Sequence, residues 1–158
     1  MFVPIIMGSR KDLEFGQQIA DALAKFGIES DIRVASAHKA TVYLLDLLGK
    51  YEAEGRAEVY VTIAGRSNAL SGVVDANVTA PVVACPPYSS KFGGADIYSS
   101  LRLPSGVAPA VVLEPGLAAL LVAKMLTLSH PEMKARVKAA QQAFTDQIMA
   151  DDADLRNP

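Results

Sequence analysis

Five short apolar runs, separated by segments of helical length, constrain this chain more than any other feature. They occupy residues 2–7, 28–34, 59–63, 82–85 and 110–113. Runs this short and rich in valine and isoleucine predict strands buried on both faces, and such strands belong in parallel sheets. Between the first two, residues 12–26 place Leu13, Ile19, Ala20, Leu23 and Phe26 close to three-to-four spacing, and Gly27 follows where a left-handed cap costs little. Residues 41–51 repeat the pattern with Leu44, Leu45, Leu47, Leu48 and Tyr51. Strands alternating with helices predict right-handed βαβ units, hence an α/β protein with a three-layer, doubly wound parallel sheet.

Composition removes several classes of function. A chain of 158 residues, 51% hydrophobic and 20% charged, is the size of a single domain spanning residues 1–158 and apolar enough to bury a large core. Its net charge of −2 arises from mixed signs rather than blocks, so neither a nucleic-acid footprint nor a basic membrane surface is expected. The opening MFVPIIMGSR lacks a basic n-region, and no apolar run approaches the roughly 20 residues of a membrane span, so a cytoplasmic protein is expected. Cys85 is the one cysteine, which excludes an internal disulfide and a multi-cysteine metal site.

In open α/β sheets ligands bind just past the carboxyl ends of the strands, so the loops there carry the functional information. The first holds Gly8, Ser9, Arg10, Lys11 and Asp12; the second Ser36, Ala37, His38 and Lys39; the third Ala64, Gly65, Arg66, Ser67 and Asn68 and runs to Gly72. A fourth begins at Cys85-Pro86-Pro87-Tyr88-Ser89-Ser90 and runs through FGGADIYSSLRLPSG, and a fifth is Glu114-Pro115-Gly116. Serine, glycine and basic residues at such positions suit an anion, because free amides and helix dipoles already favour negative charge there. A phosphorylated small molecule is the expected ligand.

Plainer readings exist for most of these residues taken singly. Asp12 can cap the first helix, Gly8 and Ser9 can be turn residues, and Lys39 or Arg66 can be solvated surface charges. Cys85 ends an apolar run with no histidine near it in sequence, which suits a small core residue better than a nucleophile. His130 lies in Ser129-His130-Pro131-Glu132, where Ser129 and Glu132 read as a capping box with Pro131 in the first turn, a structural setting. His38 has no such alternative: it stands at a strand end among anion-binding candidates.

Taken together, Met7-Gly8-Ser9-x-x-Asp12, Ser36-Ala37-His38-Lys39, Ala64-Gly65-Arg66-Ser67-Asn68-Ala69-Leu70, Cys85-Pro86-Pro87 and Ser99-Ser100-Leu101-Arg102-Leu103-Pro104-Ser105-Gly106 resemble the PurE family of purine biosynthesis. The likeness runs in order from about residue 3 to 128 and implies a flavodoxin-like, Rossmann-like fold. Within the family, class I members typically carry Ser-Ala-His-Arg and a glycine-rich third loop, whereas class II members carry Ser-Ala-His-Lys and Ala-Gly-Arg-Ser-Asn, as here. The resemblance therefore implies a class II phosphoribosylaminoimidazole carboxylase. Its substrates would be 5-aminoimidazole ribonucleotide (AIR) and CO2 and its product 4-carboxy-AIR (CAIR), interconverted reversibly with no cofactor, neither ATP, biotin nor metal. Animal relatives carry a fused succinocarboxamide synthetase domain, and a free-standing enzyme is expected here.

The residue types suit that chemistry. The aminoimidazole ring is electron-rich at C4 and attacks CO2 once a confined pocket, built from the small residues of 64–72 and the Pro86-Pro87 turn, holds the two together. Aromaticity then returns only when the C4 proton leaves, and a histidine is matched to carrying it. The family places that role on the histidine of this motif, His38. By the same resemblance Gly8, Ser9 and Asp12 hold phosphate and ribose, Ser36, Ala37 and Lys39 face the phosphate, and Gly65, Arg66, Ser67 and Asn68 form the class II third loop. Its arginine takes either the phosphate or the product carboxylate. Lys11 stands where many members have serine and is left outside this set.

After Pro131, the residues Met133, Val137, Ala140, Phe144 and Ile148 form an amphipathic stripe, predicting a helix over about 131–150 that ends in DDADLRNP. The resemblance implies a homo-oligomer, tetrameric or octameric, with this helix in its packing. Two other functions remain in view: the class I mutase acting on N5-carboxy-AIR, and a non-catalytic nucleotide-binding domain of flavodoxin-like fold.

Overall fold

The computed structural model describes residues 1–156, apart from the side chain of Lys91. Five strands, β1 (Phe2–Met7), β2 (Glu29–Val34), β3 (Tyr60–Ile63), β4 (Val82–Ala84) and β5 (Ala110–Val111), form one sheet in the order β2-β1-β3-β4-β5. Every pairing is parallel, with Phe2 opposite Glu29, Ile5 opposite Val61, Tyr60 opposite Val82 and Val83 opposite Ala110. The helices are α1 (Leu13–Lys25), α2 (Thr41–Glu54), α3 (Leu70–Asp75), α4 (Tyr98–Leu101), α5 (Pro115–Leu126) and α6 (Met133–Arg156). This is the doubly wound architecture expected from the alternation of runs.

β1 is wholly buried yet still alternates, and that alternation creates two cores. Val3, Ile5 and Met7 point to one face, where they meet Ile19 and Leu23 of α1, Val122 and Leu126 of α5, and Met133 and Val137 of α6. Phe2 and Ile6 point to the other, against Leu44, Leu48 and Tyr51 of α2 and Leu70 and Val74 of α3. Gly16 of α1 sits so close to β1 that an added Cβ would lie 2.8 Å from the Met7 sulfur. Gly27 closes α1 at φ +70°, as its position after Phe26 predicts.

Two strands differ from the expectation of burial on both faces. β2 lies at one sheet edge and carries Glu29, Asp31 and Arg33 in partly exposed positions, so it is neither apolar throughout nor covered. β5, the other edge, is only two residues long. Charged and short strands are what sheet edges tolerate.

The carboxyl-terminal segment departs further. The capping box is not formed. The Ser129 hydroxyl instead donates to Leu126 O at 3.5 Å, and His130 N–H donates to the same carbonyl at 2.8 Å, so both serve the end of α5. The first helical residue is Met133, and Pro131 precedes the helix. His130 Nε2 is hydrogen-bonded to Glu58 Oε2, while Glu58 Oε1 is 3.6 Å from the amino terminus. His130 thus ties the α5–α6 corner to the far end of the sheet. α6 continues through Arg156, beyond the predicted stop, and the last two residues of DDADLRNP lie outside the described ones. Only Met133, Val137 and Ala140 of its stripe pack on the domain, whereas Phe144 and Ile148 are each 68% exposed. Among the described residues, no helix is long and apolar enough to cross a membrane.

Candidate active site

The connections from β1 and β3 leave toward opposite faces of the sheet, and the crevice between their carboxyl ends is where a doubly wound sheet opens. A cavity of about 580 Å³ lies there. That is within the range of about 300–1,000 Å³ common for small-molecule sites. Its wall draws Gly8, Ser9 and Asp12 from the first loop, Ser36, Ala37, His38 and Lys39 from the second, and Gly65, Arg66 and Ser67 from the third. Segments some thirty residues apart in sequence thus meet because parallel strands in register deliver their ends to the same side.

The first loop is anchored by Gly8 N–H, which donates to Ile63 O at 2.9 Å and joins the exits of β1 and β3. Ser9, in extended conformation, caps a short 3-10 turn over Arg10–Asp12 by accepting from Lys11 N–H at 3.2 Å. Asp12 occupies the cap position of α1, but its side chain makes no capping bond. The half-buried carboxyl is left facing the cavity, and burial pushes its pKa above the ordinary carboxylate value. Simple helix capping therefore does not account for it.

The second loop repeats this device. Ser36 Oγ accepts from Lys39 N–H at 3.3 Å, Ala40 N–H donates to Ser36 O at 3.0 Å, and Thr41 Oγ1 donates to Ala37 O at 2.6 Å. These bonds fold residues 36–40 into a tight turn whose crest is His38 and Lys39, both exposed. No hydrogen bond to another described residue holds the His38 imidazole. Ser9 and Ser36 each spend an oxygen lone pair on a backbone amide, which leaves the hydroxyl proton to donate to a ligand. Two such hydroxyls with Lys11, Lys39 and Arg66 face one carboxylate, Asp12, so the cavity suits an anionic ligand with a hydroxyl-bearing portion.

The third loop is the most constrained. Arg66 has φ +61° and is the one non-glycine residue in the left-handed region among the described residues. Asn68, expected at the ligand, is instead 4% exposed and does not line the cavity. Its Nδ2 donates to Ser100 Oγ at 2.9 Å, its Oδ1 accepts from Ser71 N–H at 3.1 Å, and its own N–H donates to Ser99 Oγ at 2.9 Å. Its side-chain amide and its N–H both serve the scaffold of the loop.

Lys11, Leu70, Tyr88 and Ser89 line the cavity although sequence reasoning did not place them at the ligand. The fourth loop begins at a strand end like the others, and that position was the available signal for Tyr88 and Ser89. Pro87 forms wall as expected, whereas the fifth loop contributes no lining residue. Cys85 is fully buried, and burial with the Glu114 charge nearby pushes its thiol up to about 12. It is a core residue.

Comparison with known proteins adds an independent line. The sequence model of the AIR carboxylase family matches residues 2–147. A phosphoribosylaminoimidazole carboxylase of Archaeoglobus fulgidus is 52% identical over 152 residues, covering 96% of this chain and 83% of that protein. A second, from Treponema denticola, is 49% identical over 154 residues, covering 98% and 97%. The crystal structure of Treponema denticola PurE is similar throughout, with a TM-score of 0.94, 49% identity and 98% coverage of each chain.

Proposed function

The chain belongs to the AIR carboxylase family, and from that premise we propose its reaction and the division of labour in its cavity. It is an AIR carboxylase of de novo purine biosynthesis that joins CO2 to C4 of 5-aminoimidazole ribonucleotide, giving 4-carboxy-AIR reversibly and without ATP. The observation that carries this reading is a single cavity presenting His38, the hydroxyls of Ser9 and Ser36 and the cations of Lys11, Lys39 and Arg66 to one ligand-sized space, in a chain matching the family over residues 2–147.

Ser9, Ser36 and Lys39 bind the phosphate of AIR, with Lys39 as a point charge. Asp12 accepts from ribose hydroxyls, which draws its charge into use and offsets the cost of its burial. The ring then lies beside His38 and the third loop. C4 donates an electron pair to the carbon of CO2, a carbon–carbon bond forms, and one CO2 oxygen takes up the displaced pair as carboxylate. Arg66 stabilises that developing charge. C4 now bears both hydrogen and carboxylate; His38 accepts the proton through a ring nitrogen, the C–H electron pair restores the aromatic ring, and the proton passes on to solvent. The reverse order releases CO2. What supports the role of His38 is its place on the cavity wall without any bond that would immobilise the imidazole.

The same reading covers the chain as a whole. Residues 1–158 form one domain acting as a homo-oligomer, tetrameric or octameric, supported by the exposed Phe144 and Ile148 stripe of α6. The location is cytoplasmic, where phosphorylated intermediates that do not cross membranes unaided are made and used. The assay mixes protein, AIR and bicarbonate without ATP and follows CAIR absorbance. Appearance of CAIR is expected; no ATP-independent product, or turnover of N5-carboxy-AIR in its place, contradicts the proposal.

A further inference from the structure

Arg66 is held where a side chain is costly. An L-residue at φ +61° brings its Cβ close to its own carbonyl, so the conformation persists only if neighbours impose it. Those neighbours come from the later part of the fourth loop, where Ser99 and Ser100 open the Ser99 to Gly106 motif and take no part in lining the cavity. Arg66 N–H donates to Asp96 Oδ2 at 3.0 Å. The Ser99 hydroxyl is placed to donate to Asp96 O at 2.7 Å and to Arg66 O at 3.2 Å, while its oxygen accepts from Asn68 N–H at 2.9 Å. Ser100, 1% exposed, accepts from the Asn68 side chain. The peptide groups on both sides of Arg66 are therefore gripped from residues about thirty positions away in sequence.

The Asp96 carboxylate is the charged member of this latch. It lies outside the cavity lining. Its bond goes to a neutral amide, and a charge-assisted bond of that kind is about twice as strong as one between neutral groups. A carboxylate spent on the backbone of one strained arginine has a geometric purpose. We propose that Asp96, seconded by Ser99, is a positioning residue for the reaction: it fixes the third loop so that Arg66 faces the cavity, and it acts on catalysis only through Arg66. This deepens the proposed carboxylase function and rests on it.

Steady-state carboxylation by the full-length native chain, D96A, D96N, R66A and the D96A/R66A double variant tests the assignment. Misplacing a catalytic group by about 1 Å costs on the order of a hundredfold, so D96A should lose at least about tenfold in kcat/KM. D96N, whose amide oxygen still accepts the Arg66 N–H, should recover to within about threefold of native. In the R66A background the Asp96 change should cost less than about twofold, because a residue acting through another adds nothing once that other is gone. Equal losses in both backgrounds, or native kinetics in D96A, overturn the proposal. Tryptic cleavage at the Arg66–Ser67 bond reads loop order without turnover: D96A should be cut faster than native and D96N should not, while identical rates in all three overturn the latch. Should D96A not fold, Ser99→Ala replaces it in both measurements with the same expectations. A native chain that makes no CAIR contradicts the carboxylase reading and leaves proteolysis to decide the latch; an active native chain with unchanged D96A contradicts the latch alone.

Discussion

Replacing Arg66 by glycine should make the protein more stable and a worse enzyme. At φ +61° the arginine sits in a conformation that costs an L-residue about 1–2 kcal/mol and glycine almost nothing. Glycine also enlarges the freedom of the unfolded chain, a penalty of about 0.4–1 kcal/mol. The balance is a gain of about 0.5–1 kcal/mol, which for a chain of this size raises Tm by about 1.5–3 °C. Activity moves the other way. A lost hydrogen bond to a charged ligand group is worth about 1.5–3 kcal/mol, so kcat/KM should fall about 10- to 150-fold. Arg66→Ala separates the two effects, since alanine keeps the backbone cost but not the guanidinium: equal loss of activity with stability near native. Urea unfolding at fixed protein concentration and carboxylation kinetics on all three proteins read both quantities. An Arg66→Gly protein that is less stable than native, or equally active, refutes the reasoning.

Gly16→Ala places a methyl group 2.8 Å from the Met7 sulfur, with Ile63 Cδ1 at 3.4 Å. Overpacking of that kind costs about 1–3 kcal/mol against a helix-propensity gain of about 1, so urea titration should show a net loss, and a more stable variant contradicts the close packing of α1 on β1. The Tyr51 hydroxyl donates to Asp31 Oδ2 at 2.5 Å and that of Tyr60 to Glu52 Oε1 at 2.9 Å, and burial with these carboxylates raises both phenols above their ordinary pKa. The folded protein then keeps protons that the unfolded chain releases near pH 10, so stability is intact below about pH 10 and falls as pH rises beyond it. Denaturant midpoints measured across that window should fall for the native chain and less steeply for Tyr51→Phe; identical slopes contradict the assignment.

The sheet was legible because β1, β3 and β4 are apolar enough to announce burial on both sides. β2 was read into the same class from Ile28, Ile32 and Val34, but Glu29, Asp31 and Arg33 mark an edge, which a single run cannot show without knowing strand order. The cavity could be assembled from strand ends because parallel strands deliver their loops to one side, and this brought Ser9, Asp12, Ser36, His38, Lys39 and Arg66 together. Asn68 was less legible: a polar residue in a ligand loop looks the same whether it faces the ligand or braces the loop, and only its bonds to Ser99, Ser100 and Ser71 tell the two apart. The supposed capping box fails for a similar reason. Ser129 and Glu132 have the right spacing, but the end of α5 takes the serine hydroxyl first. The left-handed Arg66 leaves no trace in its neighbours, since what imposes it is Asp96, thirty residues on.

The most direct test of the account is incorporation of radiolabelled bicarbonate into CAIR by the native chain and by His38→Asn, without ATP, together with AIR affinity measured calorimetrically on both. The native protein should label CAIR, and His38→Asn should bind AIR within about threefold of native while labelling falls by at least about a hundredfold, the upper range of a general acid–base contribution being about 10,000-fold. Labelling by His38→Asn at the native rate, or a loss of affinity that matches the loss of labelling, contradicts a proton-carrying His38.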